Sequence, residues 1–142
     1  MSDGLFCDIV HDRVEATFVH RDDPVSVFMD IQPVNPGHFL VLPDAHAAGL
    51  ADLDAATGAR IFQVAQRMAA ALRRSGLPRE EVNLFLAHGE AAMQEIPHLH
   101  LHVVPRTRCD GFGLTFSPRY FTRPVRSDLE AAARQIRRAL KG

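Results

Sequence analysis

Residues 98–104 read His-Leu-His-Leu-His-Val-Val, and no other stretch of this chain constrains its own conformation so tightly. Strict alternation of polar and apolar side chains has the period of a β-strand, not of a helix. In a strand His98, His100 and His102 share one face, while Leu99, Leu101 and Val103 share the other. The apolar row needs a cover. A strand with one face of imidazoles and one of aliphatics therefore belongs to a sheet with one side against a helix.

The rest of the chain supplies that sheet and that helix. "EATFVH" (15–20) and "VSVFMDI" (25–31) flank "RDDP", and read as a hairpin. "GHFLVLP" (37–43) and "EVNLFLAH" (81–88) are nearly continuous apolar runs, the mark of strands buried on both faces and central in a sheet. Between them Ile61, Val64, Ala65, Met68 and Leu72 recur at helical spacing, with Asp54 as N-cap, Gly76 as stop and Pro78 beyond. "SDLE" (127–130) predicts a capping box opening a C-terminal helix striped by Leu129, Ala133, Ile136 and Leu140. Residues 107–126 have no period and read as loop with a short edge strand. The expectation is an α+β fold with a mainly antiparallel sheet, one long helix and a C-terminal helix, the helices packed on one side. No repeat or linker interrupts it, so residues 1–142 are expected to form a single domain, with a core at about 4–106 and an extension at 107–142.

Bulk properties narrow the function classes. A chain of 142 residues buries roughly 68–70% of its unfolded surface, enough for a self-sufficient core. A formal net charge of -1 offers no field for a polyanion, so no nucleic-acid partner is expected. No apolar run reaches membrane length, and Asp3 and Asp8 stand where a secretory signal is basic. A cytoplasmic protein with no membrane partner is expected. Cys7 and Cys109 are the only cysteines, too few for a disulfide framework.

Three imidazoles about 6.5–7 Å apart along a strand can touch one substrate group together. Near pH 7 a neutral imidazole is a nucleophile, and a neighbouring one donates to an oxygen or a leaving group. A phosphorus centre fits such a set, through a phosphoryl- or nucleotidyl-imidazole that water then hydrolyses. The alternation alone leaves two other readings: a metal site completed by a ligand from elsewhere, and a merely solvated polar face.

"HLHLHVV", preceded by "NLFLAHGEAAMQEIP", together with "LFCDIV" (5–10) and "VFMDIQPVNPGHFLVLPDAH" (27–46), resembles the histidine triad (HIT) family over about residues 4–106. The resemblance implies a nucleotide hydrolase acting on the α-phosphate of purine nucleotide conjugates, with no cofactor. It implies His100 as the nucleophile, His102 on the phosphate oxygens or leaving group, and His98 and His38 as its support. Asp30 corresponds to the position that binds ribose hydroxyls. Leu5, Phe6, Ile9, Phe28 and Ile31 correspond to the apolar cleft for the purine, and Gln94 to the phosphate loop; plain core packing and loop solvation are the competing readings for these. Family branches also imply a homodimer. An adenosine phosphoramidate type of substrate is expected, with dinucleoside polyphosphate hydrolysis, or nucleotide binding without turnover, as alternatives.

Three departures stand out. Some branches hold zinc with a Cys-x-x-Cys and two histidines; here Gly4 replaces the first cysteine, leaving Cys7, His46 and His98, and no metal is expected. Ala87 stands where an amide side chain is frequent, with His88 beside it as a substitute. Met93 stands at a common glycine position, where a side chain would narrow the pocket.

Overall fold

Strands β1 (Phe18–Asp22), β2 (Val25–Met29), β3 (Phe39–Pro43), β4 (Glu81–Leu86) and β5 (Leu101–Arg106) form one sheet in the order β1-β2-β3-β5-β4. Every neighbouring pair is antiparallel. Three helices accompany it: α1 (Leu5–Val10), α2 (Ala55–Arg74) and α3 (Arg126–Leu140). The fold is the expected α+β class. The computed structural model describes residues 4–142; Asp3, used above against a signal segment, lies outside them. By their internal contacts the residues gather into two compact units, one ending at Asp110 and the other Gly111–Gly142, and each is described by itself. No helix among the described residues is long and apolar enough to cross a membrane.

The two faces of the sheet carry different chemistry because the side-chain period is two. Val25 and Val27 of β2, Phe39 and Val41 of β3, and Leu99, Leu101 and Val103 pack with Ile61, Val64, Ala65 and Leu72 of α2. Each fully buried aliphatic of this kind contributes about 1.5–3 kcal/mol relative to exposure. α2 begins where Asp54 Oδ2 accepts the Thr57 N–H at 3.0 Å, and it ends at Ser75 before Gly76, whose φ of +82° is left-handed. On the opposite face Phe28, Leu40 and Leu42 pack with Phe6, Ile9 and Val10 of α1. The helices of the first unit therefore sandwich the sheet, correcting the expectation of one covered side. "LFCDIV" is too short for a helical period to be legible, yet its Phe6, Ile9 and Val10 form one stripe.

Other expectations shift. β4 is an edge strand, not a central one, and its Leu84 and Phe85 are 42% and 40% exposed. Its apolar run reflects an edge position: Leu84 pairs with Val103 on the α2 side and Phe85 with His102 on the other, and both are only part covered. The hairpin turn is Asp23-Pro24, because Arg21 and Asp22 still pair with Ser26 and Val25. In the second unit Pro118–Phe121 is a 3₁₀ turn with Phe116 stacked on Tyr120 at 3.9 Å, and no edge strand forms between residues 107 and 126. α3 starts directly after Val125, so Ser127 already has helical geometry and makes no cap; the capping box does not form. The predicted stripe of Leu129, Ile136 and Leu140 is exposed.

Candidate active site

β5 and the residues leading into it lay His98, His100 and His102 along the face shared with α1. His98 and His100 are buried, and His102 is partly buried. The His100 and His102 rings lie 4.8 Å apart between centroids. His38 enters from the start of β3, delivered by Gly37, whose φ is +94° and where an added Cβ would stand 3.0 Å from Leu77 Cδ1. It meets His102 because Leu40 and His102 are paired in register.

The hydrogen-bond partners assign each imidazole its tautomer, since a carbonyl only accepts and a backbone N–H only donates. His100 Nδ1–H donates to the His98 carbonyl at 2.7 Å. In the neutral ring this leaves Nε2 with its lone pair, and nothing among the described residues hydrogen-bonds to it. The Val34 N–H donates to His38 Nδ1 at 3.0 Å, so His38 carries its proton on Nε2 and donates to His102 Nδ1 at 2.9 Å. His102 in turn keeps its proton on Nε2. His98 Nε2–H donates to the Pro43 carbonyl at 2.8 Å, which clamps the ring and turns its Nδ1 toward Cys7. The row thus presents one free lone pair, on His100, beside one free N–H, on His102.

Burial keeps these rings neutral. Desolvation lowers His100 below the ordinary imidazole value of 6.5, against the opposing effects of the His98 carbonyl and of the Asp30 and Glu95 charges. Desolvation is also the largest cause for His98 and His38. His102, desolvated and next to His100 and His38, is pushed down to about 4. The His100 ring is therefore neutral at pH 7, with its Nε2 lone pair available.

The other expected residues distribute unevenly. Asp30 sits behind the relay, with Oδ1 accepting the Gln32 N–H at 2.8 Å and Oδ2 3.5 Å from His38 Nε2. Phe6 touches the row directly, its ring 5.0 Å from that of His100 and edge-on to Phe28 at 5.4 Å. Ile9 and Phe28 are core members of the same face. Leu5 is exposed at its rim, and Ile31 is 94% exposed, outside both core clusters. A cavity of about 70 Å³ lies between Leu5, Phe6, Ile96 and His98. The larger one, about 450 Å³, lies between α2 and β4 and has no histidine in its lining. Gln94 braces the loop: its Oε1 accepts the Gly89 N–H at 2.8 Å and its Nε2 donates to the Ala48 carbonyl at 2.7 Å.

The departures also take definite places. Ala87 is buried, and His88 does not stand in for it: the His88 ring lies against Gly49, and its Nδ1 accepts the Leu50 N–H at 3.3 Å. Met93 holds φ at +69° and is 78% exposed, so its side chain projects to solvent. The left-handed conformation itself explains why glycine suits that position. Sequence reasoning missed Phe85, whose ring lies 5.7 Å from that of His102, and the backbone groups of Val34 and Pro43. An edge-strand aromatic at alternate register is a signal for the first; the backbone partners leave none.

Two clusters bring three metal-ligating atoms within 4.8 Å of one another, Cys7/His46/His98 and Asp30/His38/His102. Their tautomers separate them. His98 donates from Nε2 to a carbonyl and aims Nδ1 at Cys7 Sγ, 3.5 Å away, with His46 Nδ1 3.4 Å from the same sulfur. A metal-ligating histidine has this arrangement. His38 instead accepts the Val34 N–H on Nδ1, so its Nε2 holds a proton and offers no ligand. At the first cluster Gly4 has no side chain to give, and the chain's three donors fall one short of a tetrahedral structural set.

The HIT domain family model matches residues 12–109. An uncharacterized HIT-like protein of Borreliella burgdorferi is 37% identical over 114 residues, covering 80% of this chain and 82% of that one. Adenosine 5'-monophosphoramidase HNT1 of Saccharomyces cerevisiae is 28% identical over 102 residues, 72% of this chain and 61% of its own. Among solved structures, a HIT family protein from Bacillus anthracis superposes with a TM-score of 0.85 at 30% identity, covering 98% of this chain and 99% of that one. A Zn-bound histidine triad family protein from Mycobacterium smegmatis gives 0.74 at 37% identity, covering 82% and 84%.

Proposed function

This chain belongs to the HIT domain family, and from that premise we propose that it is a nucleotide hydrolase that opens purine nucleoside phosphoramidates through a nucleotidyl-His100 intermediate. One observation carries the reading: the His100 Nδ1–H is held by the His98 carbonyl at 2.7 Å, which fixes the Nε2 lone pair as the reactive one. That lone pair attacks the α-phosphorus, and the P–N bond to the amine breaks. The nitrogen departs with the electron pair and takes its proton from solvent. The imidazolium so formed keeps its Nδ1–H on the His98 carbonyl, while His102 Nε2–H donates to a phosphoryl oxygen. Water then attacks phosphorus, releasing the nucleoside monophosphate, one proton and neutral His100. Asp30 is assigned to the ribose hydroxyls and Phe6, with Ile9 and Phe28 behind it, to the purine. Cys7, His46 and His98 are the residues that would hold a zinc ion, and no step depends on one.

The same reading includes a homodimer. It is supported by the uncovered β4 edge with its exposed Leu84 and Phe85.

Intact-mass spectrometry tests the chemistry. Seconds after mixing with adenosine phosphoramidate and quenching without acid, the wild type is expected to carry an adenylyl adduct and to release AMP, and His100→Ala to do neither. Nucleotide binding by the wild type with neither adduct nor AMP would replace the hydrolase with a binding protein, the reading to which Ala87 points.

A further inference from the structure

Val34 fixes the His38 tautomer only while its N–H stays aimed at His38 Nδ1, and Val34 is itself exposed, on the loop between β2 and β3. What holds that loop lies at the far end of β5. Asn35 Nδ2 donates to the Pro105 carbonyl and to Asp110 Oδ2, both at 2.8 Å. Both partners are pure acceptors, so the Asn35 amide presents its nitrogen and uses both of its protons there. The Asn35 carbonyl accepts the His38 N–H at 3.1 Å, which closes the turn through Gly37 onto the same residue.

Asp110 is the anchor. Its side chain is 4% exposed, and its oxygens accept Arg106 Nε at 2.6 Å and Nη2 at 2.8 Å, a bidentate fork, together with the Thr107 N–H at 3.3 Å. Arg106 is the last residue of β5 and also reaches the Asn83 side chain on β4. A buried carboxylate with these donors cannot move without leaving a charge unpaired. The turn that carries His38 is thereby tied by side chains to the strand that carries His102, beyond the ladder that pairs Leu40 with His102.

The consequence falls on His102. With Val34 in place, a proton on His38 Nδ1 would face another donor, so the ring takes the Nε2–H form. Asp30 Oδ2, 3.5 Å from that Nε2, is beyond ordinary hydrogen-bond length and does not make the choice alone. In the other form His38 Nε2 would accept, His102 would carry its proton on Nδ1, and His102 Nε2 would set a lone pair against the phosphoryl oxygen. Resting on the proposed nucleotidyl transfer to His100, we propose that Asn35, anchored by Asp110, is a positioning residue that keeps His102 a proton donor by fixing the tautomer of His38.

Proton–nitrogen correlation spectra of the imidazole rings test this, because they distinguish protonated from unprotonated ring nitrogens whether or not the protein turns over. Asn35→Ala and Asp110→Asn are compared with the wild type, and Arg108→Ala, which removes the surface pair of the 107–110 loop with Glu80, is the control. The wild type and the control are expected to hold His38 and His102 as Nε2–H forms. Asn35→Ala is expected to move both rings toward Nδ1–H and to lower kcat for adenosine phosphoramidate about two- to tenfold, the worth of one hydrogen bond, with KM little changed. Asp110→Asn is expected to act in the same direction, and the double variant to go no further than the larger single effect, since both act through one loop. Should Asp110→Asn fail to fold, Asn35→Ala, at a half-buried loop position, decides by itself. Variants that lose stability in urea while His38 stays Nε2–H overturn the proposal and leave Asn35 a structural brace. A wild type that forms neither adduct nor AMP, with tautomers that still respond to Asn35→Ala, fails the hydrolase and keeps the positioning role; turnover with unresponsive tautomers fails the positioning role alone.

Discussion

Lowering the pH from 7.5 to 4.5 destabilises this protein through its own row of buried histidines. His102 titrates at about 4 in the folded chain against an ordinary 6.5, chiefly because of desolvation and then the neighbouring His100 and His38. Unfolded, the same ring takes its proton near 6.5, so between those values the unfolded state binds more protons and stability rises with pH. The contribution is complete above 6.5 and drains away as pH falls toward 4. At pH 4.5 the linkage amounts to about 2–3 kcal/mol for His102 alone, whose side chain is 22% exposed. His38, His98 and His100 are lowered as well and act in the same direction. The assay is urea unfolding of the wild type and His102→Gln at pH 7.5, 5.5 and 4.5. The glutamine oxygen can still accept from His38 Nε2–H, so the variant keeps the bond and loses the titration. The wild type is expected to lose about 2–3 kcal/mol more than the variant over that range. Equal losses would refute the claim that burial, rather than the hydrogen bond, governs His102.

Two further outcomes follow from the fold. Gln94→Leu removes both braces of the loop and is expected to lower stability by about 1–2 kcal/mol, with faster amide exchange at Gly89. Phe85→Lys places a charge on the uncovered edge strand. Light scattering behind size exclusion is expected to show a dimer for the wild type and a monomer for the variant, and a dimeric variant would move the association away from this edge.

What could be read in advance was periodic. The alternation at 98–103 placed histidines and aliphatics on opposite faces, because a period of two survives any tertiary context. α2 was legible for the same reason, with Asp54 capping it as its side-chain length allows. β4 was misplaced because a run such as "VNLFL" records apolarity, and apolarity is shared by a central strand and by an edge strand that is only part covered. α1 was missed because six residues hold less than two helical turns. The capping box at 127–130 failed because Ser127 lies one residue inside the helix, a boundary shift that no propensity resolves.

The decisive property of the site was not periodic at all. His38, His98, His100 and His102 are the same residue in different hydrogen-bonded settings; three are set by one backbone group each, the Val34 N–H, the Pro43 carbonyl and the His98 carbonyl, and His102 is set by the relay through the His38 ring. Reversing the polarity of one partner would exchange a nucleophile for a donor without altering a side chain. Those partners arise from the turn at Gly37 and from the register that sets Leu40 against His102, which are products of the assembled sheet. The same logic divides the two metal-capable clusters, since a histidine that accepts on one nitrogen cannot offer the other as a ligand while neutral. A triad of histidines in a sequence therefore names the participants, and the polarity of the backbone they face assigns the parts.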